Sequence, residues 1–158
     1  MRTKRFPPRD IQPDLKYGSV RVSQLINRVM KSGKKSIAQK QVYNAFEIIK
    51  EKTKRKPLEV YEEVLDKIQP QIEVRTRRVG GASYQVPMPV RSRRAFSLAL
   101  RWLVVEANKR SNRDHHSFAE KLAAEILDIL NGQGGTINRR DTSHKMADAN
   151  KAFAHFRW

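Results

Sequence analysis

Ile72-Glu73-Val74-Arg75-Thr76-Arg77-Arg78-Val79-Gly80-Gly81-Ala82-Ser83-Tyr84-Gln85-Val86-Pro87-Met88-Pro89-Val90 is the stretch on which the fold turns. Ile72, Val74 and Thr76 alternate with Glu73, Arg75 and Arg77, and after Gly80-Gly81 the alternation resumes at Tyr84, Val86, Met88 and Val90. Period two on either side of a glycine pair marks a β-hairpin. Pro87 and Pro89 lack the backbone N–H, and being two residues apart they turn that gap to one side. The outer edge of a two-stranded ribbon tolerates it. A lone ribbon is marginal in water, so this one is expected to protrude from a larger body and be steadied by a partner.

Outside the ribbon the period is helical. Val22, Leu25, Ile26, Val29 and Met30 form a first stripe, with Gly33 as its C-terminal cap. Ser36 opens a second helix through Ala38, Val42, Ala45, Phe46 and Ile49, and Pro57 suits the first turn of a third, through Val60, Tyr61, Val64, Leu65 and Ile68. Ser92 is placed to cap a fourth, with Phe96, Ala99, Leu100, Leu103 and Ala107 on one face. Ser117 and Glu120 form a capping box for a fifth. A last helix from about Thr136 carries Ile137, Met146, Ala149 and Phe153, the phenylalanine expected in the core. The reading is a mainly α single domain of about six helices over residues 19–158, with the hairpin at about 72–90. Residues 1–18, basic and holding Pro7, Pro8 and Pro13, form an extended arm that orders on a polyanion.

The formal net charge is +17 over 158 residues. Such an excess repels itself and calls for a polyanionic partner. It is also segregated. No acid lies between Asp14 and Glu47, and between Glu73 and Glu106 every base is arginine, from Arg75 to Arg101. Arginine adds a planar fork that grips phosphate and stacks on bases. Two one-sign stretches therefore point to a basic face, with Lys34, Lys35, Arg75, Arg77, Arg78, Arg91, Arg93 and Arg94 as phosphate contacts, joined by Arg2, Lys4, Arg5 and Arg9 of the arm. Lys34 and Lys35 beside a helix N-terminus suit a phosphate, or form an ordinary charged turn. Tyr84 either stacks on a base or packs across the ribbon.

Signals for catalysis are weak. Cysteine is absent, so disulfides and thiolate zinc sites are excluded. His144 and Asp148 are one helical turn apart, but that is too few ligands for a metal, and they read as a surface hydrogen bond or RNA contact. Glu59, Glu62, Glu63 and Asp66 cluster as the polar face of an amphipathic helix; no metal or other cofactor is expected. No apolar run approaches bilayer length and no signal segment follows the basic N-terminus, so the expected reading is a cytoplasmic or organelle-encoded protein. Two other readings stand beside RNA binding: a helix-turn-helix DNA regulator, which would dimerise on duplex half-sites, and an RNA-processing enzyme dependent on Glu62 or Asp66.

Arg77-Arg78-Val79-Gly80-Gly81-Ala82-Ser83-Tyr84-Gln85-Val86-Pro87 resembles the hairpin of the bacterial-type small-ribosomal-subunit protein seven family. Ala149-Asn150-Lys151-Ala152-Phe153-Ala154-His155-Phe156-Arg157-Trp158 resembles its C-terminal end, Gly33-Lys34-Lys35-Ser36 its first interhelical turn, and Arg101-Trp102 its fourth helix. Ser32 and Gln41 depart from the family pattern, and the loop from Ser111 to His116 is longer. The resemblance implies a non-enzymatic constituent of the small subunit that binds the 3′ major domain of its ribosomal RNA and nucleates head assembly. It implies a place near the mRNA exit path, with tip residues Gly80, Gly81, Ala82, Ser83 and Tyr84 close to exit-site tRNA. Neighbours implied are small-subunit proteins nine and eleven, with Lys151, His155, Arg157 and Trp158 meeting RNA or protein eleven. No membrane and no homo-oligomer is implied.

Overall fold

The computed structural model describes residues 10–157; the arm bases Arg2, Lys4, Arg5 and Arg9, and Trp158, lie outside them. Helices α1 (Val20–Val29), α2 (Lys35–Thr53) and α3 (Pro57–Ile68) precede strands β1 (Ile72–Val79) and β2 (Ala82–Pro89). Helices α4 (Ser92–Lys109), α5 (Phe118–Leu130) and α6 (Gly135–Ala149) follow, and a 3₁₀ segment, Lys151–Phe156, closes the described chain. Helix α5 packs against α2, α3, α4 and α6. The fully buried side chains Leu25, Ile26, Phe46, Ile49, Tyr61, Leu65, Ile68, Leu103, Leu122, Ile126 and Ile129 form one core. Each aliphatic side chain taken from water there stabilises the body by about 1.5–3 kcal/mol.

The stripes in α1 to α5 are the buried ones, but the starts and stops differ in detail. Gly33 is no helix cap. Ser32 and Gly33 have φ of 51° and 74°, and the Lys34 N–H donates to Lys31 O at 3.0 Å. That is a two-residue turn of the kind that needs positive φ at both central positions, and it lies just beyond the end of α1. Ser92 is the first residue inside α4 rather than its cap; Arg91 takes the cap position without a side-chain hydrogen bond. At α5 the expected box forms: Ser117 Oγ accepts from the Glu120 N–H at 3.2 Å, and Glu120 Oε2 accepts from the His116 N–H at 2.9 Å. Gln41 adds to it, since its Oε1 accepts from the Ala119 N–H at 3.0 Å in the same first turn. Ser117→Ala is expected to lower stability by about 1 kcal/mol, seen as a fall of roughly 2–4 °C in the thermal midpoint; no fall would mean that Gln41 alone suffices.

Helix α6 departs most from its sequence reading. Met146 and Ala149 are exposed, and the residue buried in that turn is Ala147. The inward stripe after Ile137 is largely polar: Arg140 donates to Lys67 O at the end of α3, and His144 Nε2 accepts from the Gln71 N–H at 3.2 Å. Ser143 Oγ donates to Ile72 O at 3.4 Å. Helix ends leave carbonyls without intrahelical partners, and buried polar groups must be paired. A polar stripe therefore docks α6 on the junction of α3 and β1. This also assigns His144 to the backbone instead of to Asp148.

The ribbon pairs Val79 with Ala82 across Gly80 (φ 58°) and Gly81 (φ 88°), the positive-φ two-residue turn that glycine accommodates without strain. Its register sets Val74 opposite Pro87 and Arg75 opposite Val86. Residues opposite one another share a face, so the apolar positions of β1 and those of β2 lie on different faces. At its base Val86 and Pro87 are buried, while the tip, Gly80 to Ser83, is exposed.

Candidate nucleic-acid interface

Helix α1 joins the two basic stretches. Its outward residues Gln24, Asn27 and Arg28 line a groove with Ile11, Arg93, Phe96, Ser97 and Leu100, which brings Arg28 of the first stretch beside Arg93 of the second. Asn27 and Ile11 also line the next groove, which ends on Lys35 and Gln39. One connected surface thus runs from the Lys34–Lys35 turn across α1 to the start of α4. Nothing in the sequence around Arg28 marks it as a contact; only the packing of α1 on α4 reveals its neighbour.

At the ribbon base Glu73 sorts the arginines. It is the buried acid of this region, and its carboxylate accepts from Arg75 Nε at 2.7 Å and Arg94 Nε at 3.1 Å. Burial opposes its ionisation, but hydrogen bonds from Arg75 and Arg94 outweigh that and hold its pKa below the ordinary glutamate value. Arg75 and Arg94 therefore tie β1 to α4. Their remaining N–H groups can still face a ligand, but both share the one Glu73 carboxylate. Arg77, Arg78, Arg91 and Arg93, with Lys34 and Lys35, form no ion pair among the described residues.

The opposite pattern holds along the C-terminal end of α2. A wide cleft there is rimmed by Lys16, Lys50, Lys54, Arg55 and Lys56. Three of these five cations are answered: Lys16 pairs with Glu47 at 2.8 Å, Arg55 with Glu63 at 3.0 Å and Lys56 with Glu59 at 3.3 Å. Exposed pairs of this kind add little stability, but they cancel the field that a phosphate would feel. Pairing, more than the count of bases, separates the two surfaces.

The C-terminal segment folds onto the ribbon. The Tyr84 ring lies 5.2 Å from that of Phe153 and 5.1 Å from that of Phe156. Tyr84 thus packs in an aromatic cluster on β2, and Phe153 belongs to that cluster and not to the helical core. Tilted aromatic contacts add roughly 0.5–1.5 kcal/mol beyond burial. The cluster holds the exposed Lys151, His155 and Arg157 beside the ribbon. The loop from Ser111 to His116 is held by the Arg113 N–H donating to Ser111 Oγ at 3.0 Å and by Lys121 of α5 reaching Asn112.

For metal-dependent chemistry the described residues offer no group of three ligating side chains. Glu62 lies 3.9 Å from Arg21, and Asp66 accepts from Gln69 at 3.3 Å. No described helix is long and apolar enough to cross a membrane.

A helical body with a ribbon, and a surface that carries Lys35, Arg28 and Arg93 across α1, defines the class: a small basic domain suited to lie against a polyanion. Residues 1–151 match the family model described as Ribosomal protein S7p/S5e, and the chain belongs to that family. It is 57% identical over 152 residues to the small ribosomal subunit protein uS7 of Caldanaerobacter subterraneus subsp. tengcongensis, covering 96% of each chain. Against the protein of that name from Dictyoglomus thermophilum identity is 58% over 151 residues, covering 96% of this chain and 95% of the relative. Against that of Thermoanaerobacter sp. it is 58% over 150 residues, covering 95% and 94%. The chain is a protein of the small ribosomal subunit, hence part of a ribonucleoprotein of translation; the readings as DNA regulator or processing enzyme give way to this one.

Proposed function

We propose that this chain is a primary binder of small-subunit ribosomal RNA, seated on the 3′ major domain and nucleating assembly of the head, as a structural constituent without a reaction of its own. Lys34, Lys35, Arg77, Arg78, Arg91 and Arg93 carry the phosphate contacts. Arg75 and Arg94 act both as contacts and as braces of the ribbon, and Arg2, Lys4, Arg5 and Arg9 join them from the arm. The tip, Gly80 to Ser83, with Tyr84 anchoring it from behind, faces exit-site tRNA and the mRNA exit path. Lys151, His155, Arg157 and Trp158 meet RNA or small-subunit protein eleven, with protein nine as the other neighbour, on cytoplasmic ribosomes. The observation that carries this reading is that Lys34, Lys35, Arg77, Arg78, Arg91 and Arg93 form no ion pair among the described residues, whereas Lys16, Arg55 and Lys56 of the cleft are paired.

The test is binding of the full chain to a transcript of the 3′ major domain across salt concentrations. Affinity is expected to fall by about 0.7–0.9 log units per phosphate contact for each log unit of salt. A chain that ignores this transcript at moderate salt would refute the proposal. Deleting residues 79–83 should leave that affinity within about twofold while disturbing retention of exit-site tRNA on assembled subunits. A large loss of RNA affinity would instead place the tip in the primary interface.

A further inference from the structure

The groove between α1 and α4 has a composition that phosphate binding alone does not explain. Ile11, Phe96 and Leu100 line it on the apolar side, and Gln24, Asn27, Ser97, Arg28 and Arg93 are its polar and charged lining. Gln24 and Asn27 are three residues apart on α1, hence neighbours on one face. Neither amide side chain has a hydrogen-bond partner among the described residues. Each offers a donor pair and an acceptor. The groove is open to solvent and holds about 290 Å³, room for one base.

We infer that this groove receives a single unstacked nucleotide of the ribosomal RNA. The base lies against Phe96 and Leu100, its polar edge meets Asn27 and Gln24, and its flanking phosphates meet Arg28 and Arg93. RNA offers sequence information through splayed bases that stack on aromatic rings and expose their edges. Arginines of the lining supply the charge complement for the backbone. An aliphatic side chain from a protein would use the apolar side but leave both amides and both arginines unanswered. The inference rests on the RNA-binding reading above and sharpens it from phosphate contact to the reading of one base.

The experiment combines affinity measurement on the 3′ major-domain transcript with base-modification probing of the complex. Q24A with N27A leaves the core untouched. It is expected to cost about tenfold in affinity with an unchanged salt slope, because base contacts release no counterions. One base protected in the wild-type complex should regain reactivity. F96A removes the platform and should cost about 5- to 150-fold, with helical content checked by circular dichroism. Full binding by Q24A/N27A with every base still protected overturns the inference while leaving RNA binding intact. A loss accompanied by a shallower salt slope also overturns it, since the groove would then be a phosphate surface. Protection that arises only after other ribosomal proteins are added would show a protein occupant and overturn it equally. Failure of the wild-type chain to bind the transcript would instead remove the RNA-binding reading itself.

Discussion

Reversing the charge at Arg91 and Arg93 together should lower affinity for the 3′ major-domain transcript by about 100-fold near 0.1 M salt and cut the salt slope by close to two contacts. At that concentration each phosphate contact is worth roughly 0.7–0.9 log units through counterion release, and reversal adds repulsion to the loss. Both side chains are exposed, and neither forms an ion pair among the described residues, so folding should be nearly unaffected. The same reversal at Arg94 would be harder to interpret. Arg94 donates to Glu73 at 3.1 Å, and a glutamate there would face the Glu73 carboxylate at the ribbon base. A binding loss from Arg94→Glu would mix a lost contact with a displaced ribbon. Filter binding or calorimetry at several salt concentrations separates the two. If Arg91→Glu with Arg93→Glu kept the wild-type slope, the start of α4 would not touch RNA.

The second large effect is on stability. Glu125 is buried at the junction of α4, α5 and α6, with its side chain 2% exposed. One oxygen accepts from Arg110 Nε at 2.9 Å and Nη2 at 2.7 Å. The other accepts from the Thr136 N–H at 2.9 Å and the Thr136 hydroxyl at 2.7 Å. A carboxylate at the first turn of α6 also complements that helix's positive end. For Arg110, burial disfavours the charged form, but the hydrogen bonds it donates to Asp128 and Glu125 outweigh that and raise the pKa. The site is tight: a Cβ at Gly134, whose φ is +107°, would meet the Glu125 carboxylate at 3.2 Å. Glu125→Ala leaves a half-buried guanidinium with Asp128 alone and leaves the Thr136 donors unpaired. The expected cost is about 3 kcal/mol, a fall of roughly 6–12 °C in the thermal midpoint. Asp128→Ala removes a partner that is 43% exposed and should cost no more than about 1 kcal/mol. Equal effects of the two substitutions would show that the buried carboxylate does not organise this junction.

Much of this architecture is legible in the chain itself. The stripes at Val22–Leu25–Ile26 and Val60–Tyr61–Val64–Leu65–Ile68 are the buried faces of α1 and α3. Gly80-Gly81 closes the hairpin with the register expected of a two-residue turn. These are local facts: side-chain period, glycine's access to positive φ, and the missing N–H of proline act within a few residues. The segregation of charge is equally visible, and with it the call for a polyanion.

The partners of particular polar groups are another matter. Arg75 and Arg94 look like Arg77 and Arg93 in the sequence, yet one pair is held by Glu73 and the other is not. Tyr84 reads equally as a base-stacking or a packing residue in the sequence, and Phe153 and Phe156, far along the chain, are what pack against it. In α6 an apolar period misled because the docking face is made of Arg140, Ser143 and His144, which bond to backbone groups of α3 and β1. By itself, then, the sequence determined the elements, the ribbon and the need for a polyanion, because periodicity, turn chemistry and net charge are properties of neighbouring residues or of the whole composition. Only the tertiary structure decided which cations are spent within the protein and which face outward. An ion pair or a hydrogen bond depends on distances of a few ångströms between residues far apart in the chain, and no local pattern encodes them.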